Sequence, residues 1–114
     1  MELDPTTTAV LAIHCQGDVI SAEGAFAPFF FDEVCQRKVI QRVGDLLDSA
    51  RAAGSTIVYT RVAFKEGHSD LVPNIPLLGV VAQQGTLLDK TPATDIVDPL
   101  KPQDSDWVVT NPKV

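Results

Sequence analysis

Residues 8–14 read Thr-Ala-Val-Leu-Ala-Ile-His. The run is apolar without alternation, the pattern of a strand covered on both faces. Gly17 and Asp18 break it. Residues 56–62 read Thr-Ile-Val-Tyr-Thr-Arg-Val, β-branched and aromatic, and predict a second strand. Between the two, Val39, Ile40, Val43, Leu46, Leu47 and Ala50 recur at helical spacing. Asp32 is the expected N-cap of that helix, Glu33 suits its positive end, and Gly54 is its C-cap. Strand, long helix and strand with short connections make a parallel βαβ unit.

Outside that unit the pattern is looser. Ser21 to Phe31, with Gly24, Pro28 and three consecutive phenylalanines, reads as an ordered loop. Ala63 to Pro76 also reads as loop, and Leu77 to Gln84 as a short helix. Gly85 to Ser105 carries three prolines and no clear element. Asp106 to Thr110 (Asp-Trp-Val-Val-Thr) predicts a third strand, with Trp107 expected to pack. A sheet running outward as 3-2-1 gives the first strand a neighbour on one side alone. Its other edge would be flat and hydrophobic, and one long helix cannot cover both sheet faces. The expectation is an α/β chain, a three-layer α/β/α sandwich with a parallel sheet of Rossmann-like type. Residues 1–114 would form only the N-terminal portion of that single domain. A second polypeptide segment is expected to complete the sheet, and a homo- or hetero-oligomer is expected.

Composition bounds the function. The 114 residues are 45% hydrophobic and 21% charged, with net charge -6. No cluster of Lys or Arg interrupts that acidity, which argues against nucleic acid and anionic membranes as partners. Met-Glu-Leu-Asp-Pro at the start has neither the positive region nor the apolar core of a signal peptide. Two cysteines, Cys15 and Cys35, make no disulfide framework. A soluble cytoplasmic domain is expected, acting on a small molecule. The glycines form no GxGxxG or P-loop pattern, and no cofactor is expected.

The motifs resemble those of the isochorismatase-like hydrolases, also called the cysteine hydrolase superfamily. Ala9-Val-Leu-Ala-Ile-His-Cys-Gln-Gly-Asp18 is similar to the family's first-strand motif. Val43 to Gly54 with Thr56-Ile-Val-Tyr-Thr-Arg61 is similar to its helix and second strand. Pro92 to Pro102 with Asp106-Trp-Val-Val-Thr110 is similar to the approach to its third strand. The resemblance implies hydrolysis of a small-molecule C–N (amide or imide) or vinyl-ether bond at the carboxyl ends of the strands. Such sites use an Asp ending the first strand, a Lys ending the third and a later Cys nucleophile. Here the Asp position is His14 and the Lys position is Asn111, with Lys113 two residues on. Cys15 is not the aligned nucleophile, while Gln16 and Asp18 match the motif.

Two readings follow. In one, His14 is the general base, suited by an ordinary pKa near 6.5, and Asn111 hydrogen-bonds His14 or a substrate carbonyl. In the other, the chain is a catalytically inactive subunit, a ligand-binding or structural module. Gln16, Asp18, Phe26 and Arg61 are the expected substrate contacts; a structural salt bridge is an equal reading for Arg61, and core or subunit packing for Phe26 and Phe29 to Phe31. The family's metal-binding branch carries an Asp-x-His pair after the second strand. His68 has no Asp two residues before it, and no metal is expected. Cys35 falls in the first turn of the expected long helix, as a small helix residue.

Overall fold

A computed structural model describes residues 1–113. The elements run β1 (Ala9–Ile13), α1 (Gly17–Ile20), α2 (Ala27–Gln36), α3 (Val39–Ala53), β2 (Thr56–Val62), α4 (Pro76–Gln84) and β3 (Trp107–Asn111). The three strands form one parallel sheet in the order β1-β2-β3. The expected α/β class, parallel sheet and strand order are all present. Among the described residues no helix is long and apolar enough to cross a membrane.

Register divides the sheet into two faces. Ala12 lies beside Tyr59, and Val10 beside Ile57. These four side chains meet Leu47, Ile40 and Val43 of α3, with Ile96 and Leu100 closing the cluster. Leu11, Ile13, Val58, Trp107 and Val109 share the opposite face. There Leu11 is 55% exposed, Ile13 58% and Trp107 66%. α3 covers one face, while among the described residues the outer edge of β1 and much of the far face are open, as expected of part of a domain; Trp107, expected to pack, is exposed among them.

The expected long helix is two helices. Lys38 adopts a left-handed conformation (φ 50°, ψ 44°) that ends α2 and starts α3 at Val39. Cys35 accordingly sits in the last turn of α2, not in a first turn. Ser21 to Phe31 is not all loop, because Pro28 occupies the first turn of α2, where its missing N–H removes no helical bond. The tight bend before α2 requires Gly24, since a Cβ there would lie 2.3 Å from the Gly17 carbonyl oxygen. The region from Gly85 to Ser105 is ordered by two 3-10 turns, Pro92–Thr94 and Asp98–Leu100.

An ion pair fixes the start of β3. The Arg51 guanidinium grips the Asp106 carboxylate through Nε at 3.1 Å and Nη2 at 2.6 Å. Arg51 also donates to the Tyr59 hydroxyl at 3.2 Å. These hydrogen bonds hold the Asp106 carboxyl below the usual carboxylate range. Asp106 is 2% exposed, whereas Asp48, the other partner of Arg51, is 74% exposed. Removing one partner of this partly buried, doubly hydrogen-bonded pair costs about 1–3 kcal/mol, and losing an exposed one under about 0.5 kcal/mol. Urea unfolding should therefore show Asp106→Ala clearly destabilised and Asp48→Ala nearly unchanged.

Candidate active site at the carboxyl ends of β1 and β2

Beyond β1 the chain turns sharply. His14 is left-handed (φ 55°), and its N–H donates to the Thr60 carbonyl at 3.1 Å. Gln16 follows with no exposed surface. Its Nε2 donates to the carbonyl oxygens of Val62 at 2.9 Å and Thr94 at 2.7 Å. Its Oε1 accepts from the Val62 N–H at 2.9 Å. One carboxamide thus ties the exit of β1, the end of β2 and the Pro92–Thr94 turn together. Asp18, also buried, accepts from the Leu87 N–H at 3.0 Å and anchors the chain beyond α4.

These ties shape a half-open cavity of about 230 Å³. His14 and Gln16 line it with Val19, the two rings of Phe26 and Phe30, and Leu87. Val62, Leu77 and Val81 complete the wall. Phe26 is buried, and Phe30 is half exposed at its rim. Leu87, like His14, is left-handed (φ 53°). Non-glycine residues held there carry local strain and persist where surrounding contacts enforce them. The His14 Nδ1 is buried with no hydrogen-bond partner among the described residues. Burial pushes the His14 pKa below 6.5, so the imidazole is neutral at pH 7 and able to accept a proton.

The expected site residues divide. His14, Gln16 and Phe26 meet at the cavity, and Asp18 braces it through Leu87. Gln16 reaches it with both amide atoms already bonded to backbone, so its polar role is positioning. Asn111 is elsewhere. β2 lies between β1 and β3, a separation of roughly 10 Å across two strand spacings. Asn111 Oδ1 accepts from the Lys113 N–H at 2.9 Å. Among the described residues Asn111 bonds Lys113 and does not line the cavity at His14.

Arg61 does not line the cavity; it leaves β2 toward the α3 side of the sheet and shares the Thr94 carbonyl with Gln16. Its Nε donates to the Thr94 carbonyl and its Nη1 to the Thr110 hydroxyl, each at 3.3 Å. Nη2 faces Asp95 at 3.3 Å and Asp89 at 3.8 Å. The ion pairs with Asp95 and Asp89 fit the salt-bridge reading of Arg61. Cys15 points into the α3 cluster, where burial pushes its thiol pKa up and disfavours the thiolate. His68 packs against Phe64 in a tilted arrangement, with centroids 5.8 Å apart, and its Nε2 is 2.7 Å from the Thr86 carbonyl. The cavity walls Val19, Leu77, Val81 and Leu87 carry no mark of a site in the sequence. Each is an ordinary aliphatic, and the four come from three separate segments.

An open parallel α/β sheet with a cavity at its strand carboxyl ends is the usual site geometry of doubly wound folds. The model of the isochorismatase domain matches residues 8–114, and the chain belongs to that family. It is 25% identical to a cysteine hydrolase from Pseudomonas syringae pv. phaseolicola 1448A, with a TM-score of 0.81. That match covers 97% of this chain and 49% of the other. An isochorismatase family protein from Desulfovibrio vulgaris shares the fold at 20% identity and a TM-score of 0.73, over 94% of this chain and 53% of the other. N-carbamoylsarcosine amidase from Thermoplasma acidophilum shares it at 15% identity and a TM-score of 0.63, over 91% and 51%. The chain spans about half the length of these structures. No curated protein matches the sequence.

Two outcomes test the site's construction. Gln16→Leu removes the side-chain partner of both backbone groups of Val62 and leaves the Thr94 carbonyl to Arg61 alone, so at about 1–3 kcal/mol per orphaned group urea unfolding should show a loss of about 2 kcal/mol or more. His14 resists protonation in the folded state but not in the unfolded chain. Its contribution is therefore present above pH 6.5 and lost as pH falls through the lower folded value. Stability should drop between pH 7.5 and 5.5, and His14→Asn should drop less over the same interval.

Proposed function

We propose that the protein is a small-molecule hydrolase of the isochorismatase-like type, with its reaction centre at the His14 cavity. The single observation that carries this reading is His14 itself. It occupies the position where the family resemblance expects the base, and it is neutral, strained and lacks a partner for Nδ1 among the described residues. In the proposed reaction His14 takes a proton from the attacking nucleophile as that atom bonds to the electrophilic carbon. The proton then passes to the departing nitrogen or oxygen. The bond cleaved is a C–N bond of an amide or imide, or a vinyl ether. Phe26 forms the wall against which the substrate rests, and Gln16 and Asp18 hold the loops that shape it.

The proposal includes a second polypeptide segment, equivalent to the remaining half of the matched domains. It pairs in parallel with the free edge of β1 and covers Leu11, Ile13, Val58, Trp107 and Val109. The support is the exposed apolar face together with the 49% coverage of the Pseudomonas structure. The nucleophile belongs to that segment or is water. Asn111 favours a second reading, a catalytically silent subunit, because its Oδ1 is bonded to backbone and no cation takes the Lys position. Amide, imide and vinyl-ether substrates should be screened on the complete protein beside His14→Ala. General-base loss lowers kcat by about 10²–10⁴-fold. Full activity in the variant would remove His14 from the mechanism, and ligand binding with no turnover of any substrate would establish the silent reading.

A further inference from the structure

Between β2 and Asp89 the chain makes one long excursion that carries α4. Its base is closed. The Phe64 N–H donates to the Leu87 carbonyl at 2.8 Å, and the Asp89 N–H donates to the Phe64 carbonyl at 2.9 Å. Asp18 accepts from the Leu87 N–H at 3.0 Å. One step further out, His68 Nε2 meets the Thr86 carbonyl at 2.7 Å and latches the two arms of the excursion together.

Beyond that latch the attachment changes in kind. Among the described residues, no hydrogen bond or ion pair joins residues 71–85 to any residue outside 68–86. α4 is held by Leu78 and Val81, with Leu71 beside them, against Phe26, Val62, Phe64 and Leu87. Hydrophobic contact is non-directional, so it fastens the helix without fixing one orientation. α3 is held differently, because Arg51 adds directed bonds to Asp106 and Tyr59. Segments with few apolar anchors are the ones that open locally while the rest of a fold stays intact.

Strain collects where the segment would turn. Gly67 (φ 69°) and His68 (φ 52°) precede it, and Gly85 (φ 65°) and Leu87 (φ 53°) follow it. Thr86 Oγ1 is buried with no hydrogen-bond partner among the described residues. Left-handed non-glycine residues and an unpaired buried hydroxyl both raise the energy of the closed arrangement. Outward movement of α4 lets water reach that hydroxyl, which offsets part of the cost of exposing Leu78 and Val81.

We propose that residues 69–85 are a hinged flap over the carboxyl ends of β1 and β2. It turns at Gly67 and Gly85, is latched by His68 on Thr86, and gates entry to the space beside His14. The hinge stands independently of the hydrolase reading, and only what the flap admits rests on that reading. Val81→Cys and, separately, Leu78→Cys place a thiol on the inner side of α4, at residues 1% and 7% exposed. Alkylation of the complete protein by iodoacetamide is followed site by site by mass spectrometry. Cys15, 8% exposed in the α3 cluster, is the reference for opening of the main core.

The introduced thiols should react at least about tenfold faster than Cys15, although their positions are no less buried. Adding His68→Ala, which removes the latch, should speed their labelling. Adding Thr86→Val, which removes the unpaired hydroxyl, should slow it. Labelling of both introduced thiols at the Cys15 rate would overturn the proposal, as would faster labelling with Thr86→Val. Fast labelling in a protein that turns over no substrate would defeat the hydrolase reading and leave the flap standing. Turnover with slow labelling would do the reverse.

Discussion

The carboxamide of Gln16 is the contact on which the site depends. With no exposed surface, it bonds both backbone groups of Val62 and the carbonyl of Thr94. Parallel strands end in unpaired backbone groups, and a buried unpaired group is costly. Gln16 satisfies those at the end of β2 while fixing the turn that leaves β1. That turn sets His14 in its left-handed conformation and places Val19 and Phe26 opposite Val62. Asp18 repeats the device at Leu87, so loops distant in sequence converge on one cavity.

The second constraint is the bare face of the sheet. α3 covers one face through Leu47, Ile40 and Val43, and the other presents Leu11, Ile13, Trp107 and Val109 to solvent. A parallel sheet is ordinarily covered on both faces. Coverage of about half of each matched structure agrees with a domain of which these residues form one part. The arrangement also accounts for the apolar character of β1. Its composition suits a central strand, although among the described residues it lies at an edge.

Much of the frame is legible in the residues. The strands can be located to within a residue because an uninterrupted β-branched run bounded by turn residues forms little else. Val39 to Ala50 marks α3 through its spacing. The break at Lys38 is hidden, since no glycine announces the left-handed turn. Pro28 misleads because proline signals both loops and first helical turns. At the site, His14 and Phe26 can be nominated from their place after the first strand. Arg61 is drawn elsewhere by Asp89 and Asp95, acids roughly 30 residues away whose approach depends on tertiary folding. The aliphatic walls carry no local signal. Asn111 illustrates a further limit: position in a motif does not reveal that its Oδ1 is taken by the nearby Lys113 N–H.

An experimental structure of the complete protein would test the second segment most directly. A further strand should pair in parallel with the outer edge of β1, and added residues should cover Leu11, Ile13 and Trp107, now exposed. A β1 edge left open, with those side chains still facing solvent, would contradict the half-domain reading.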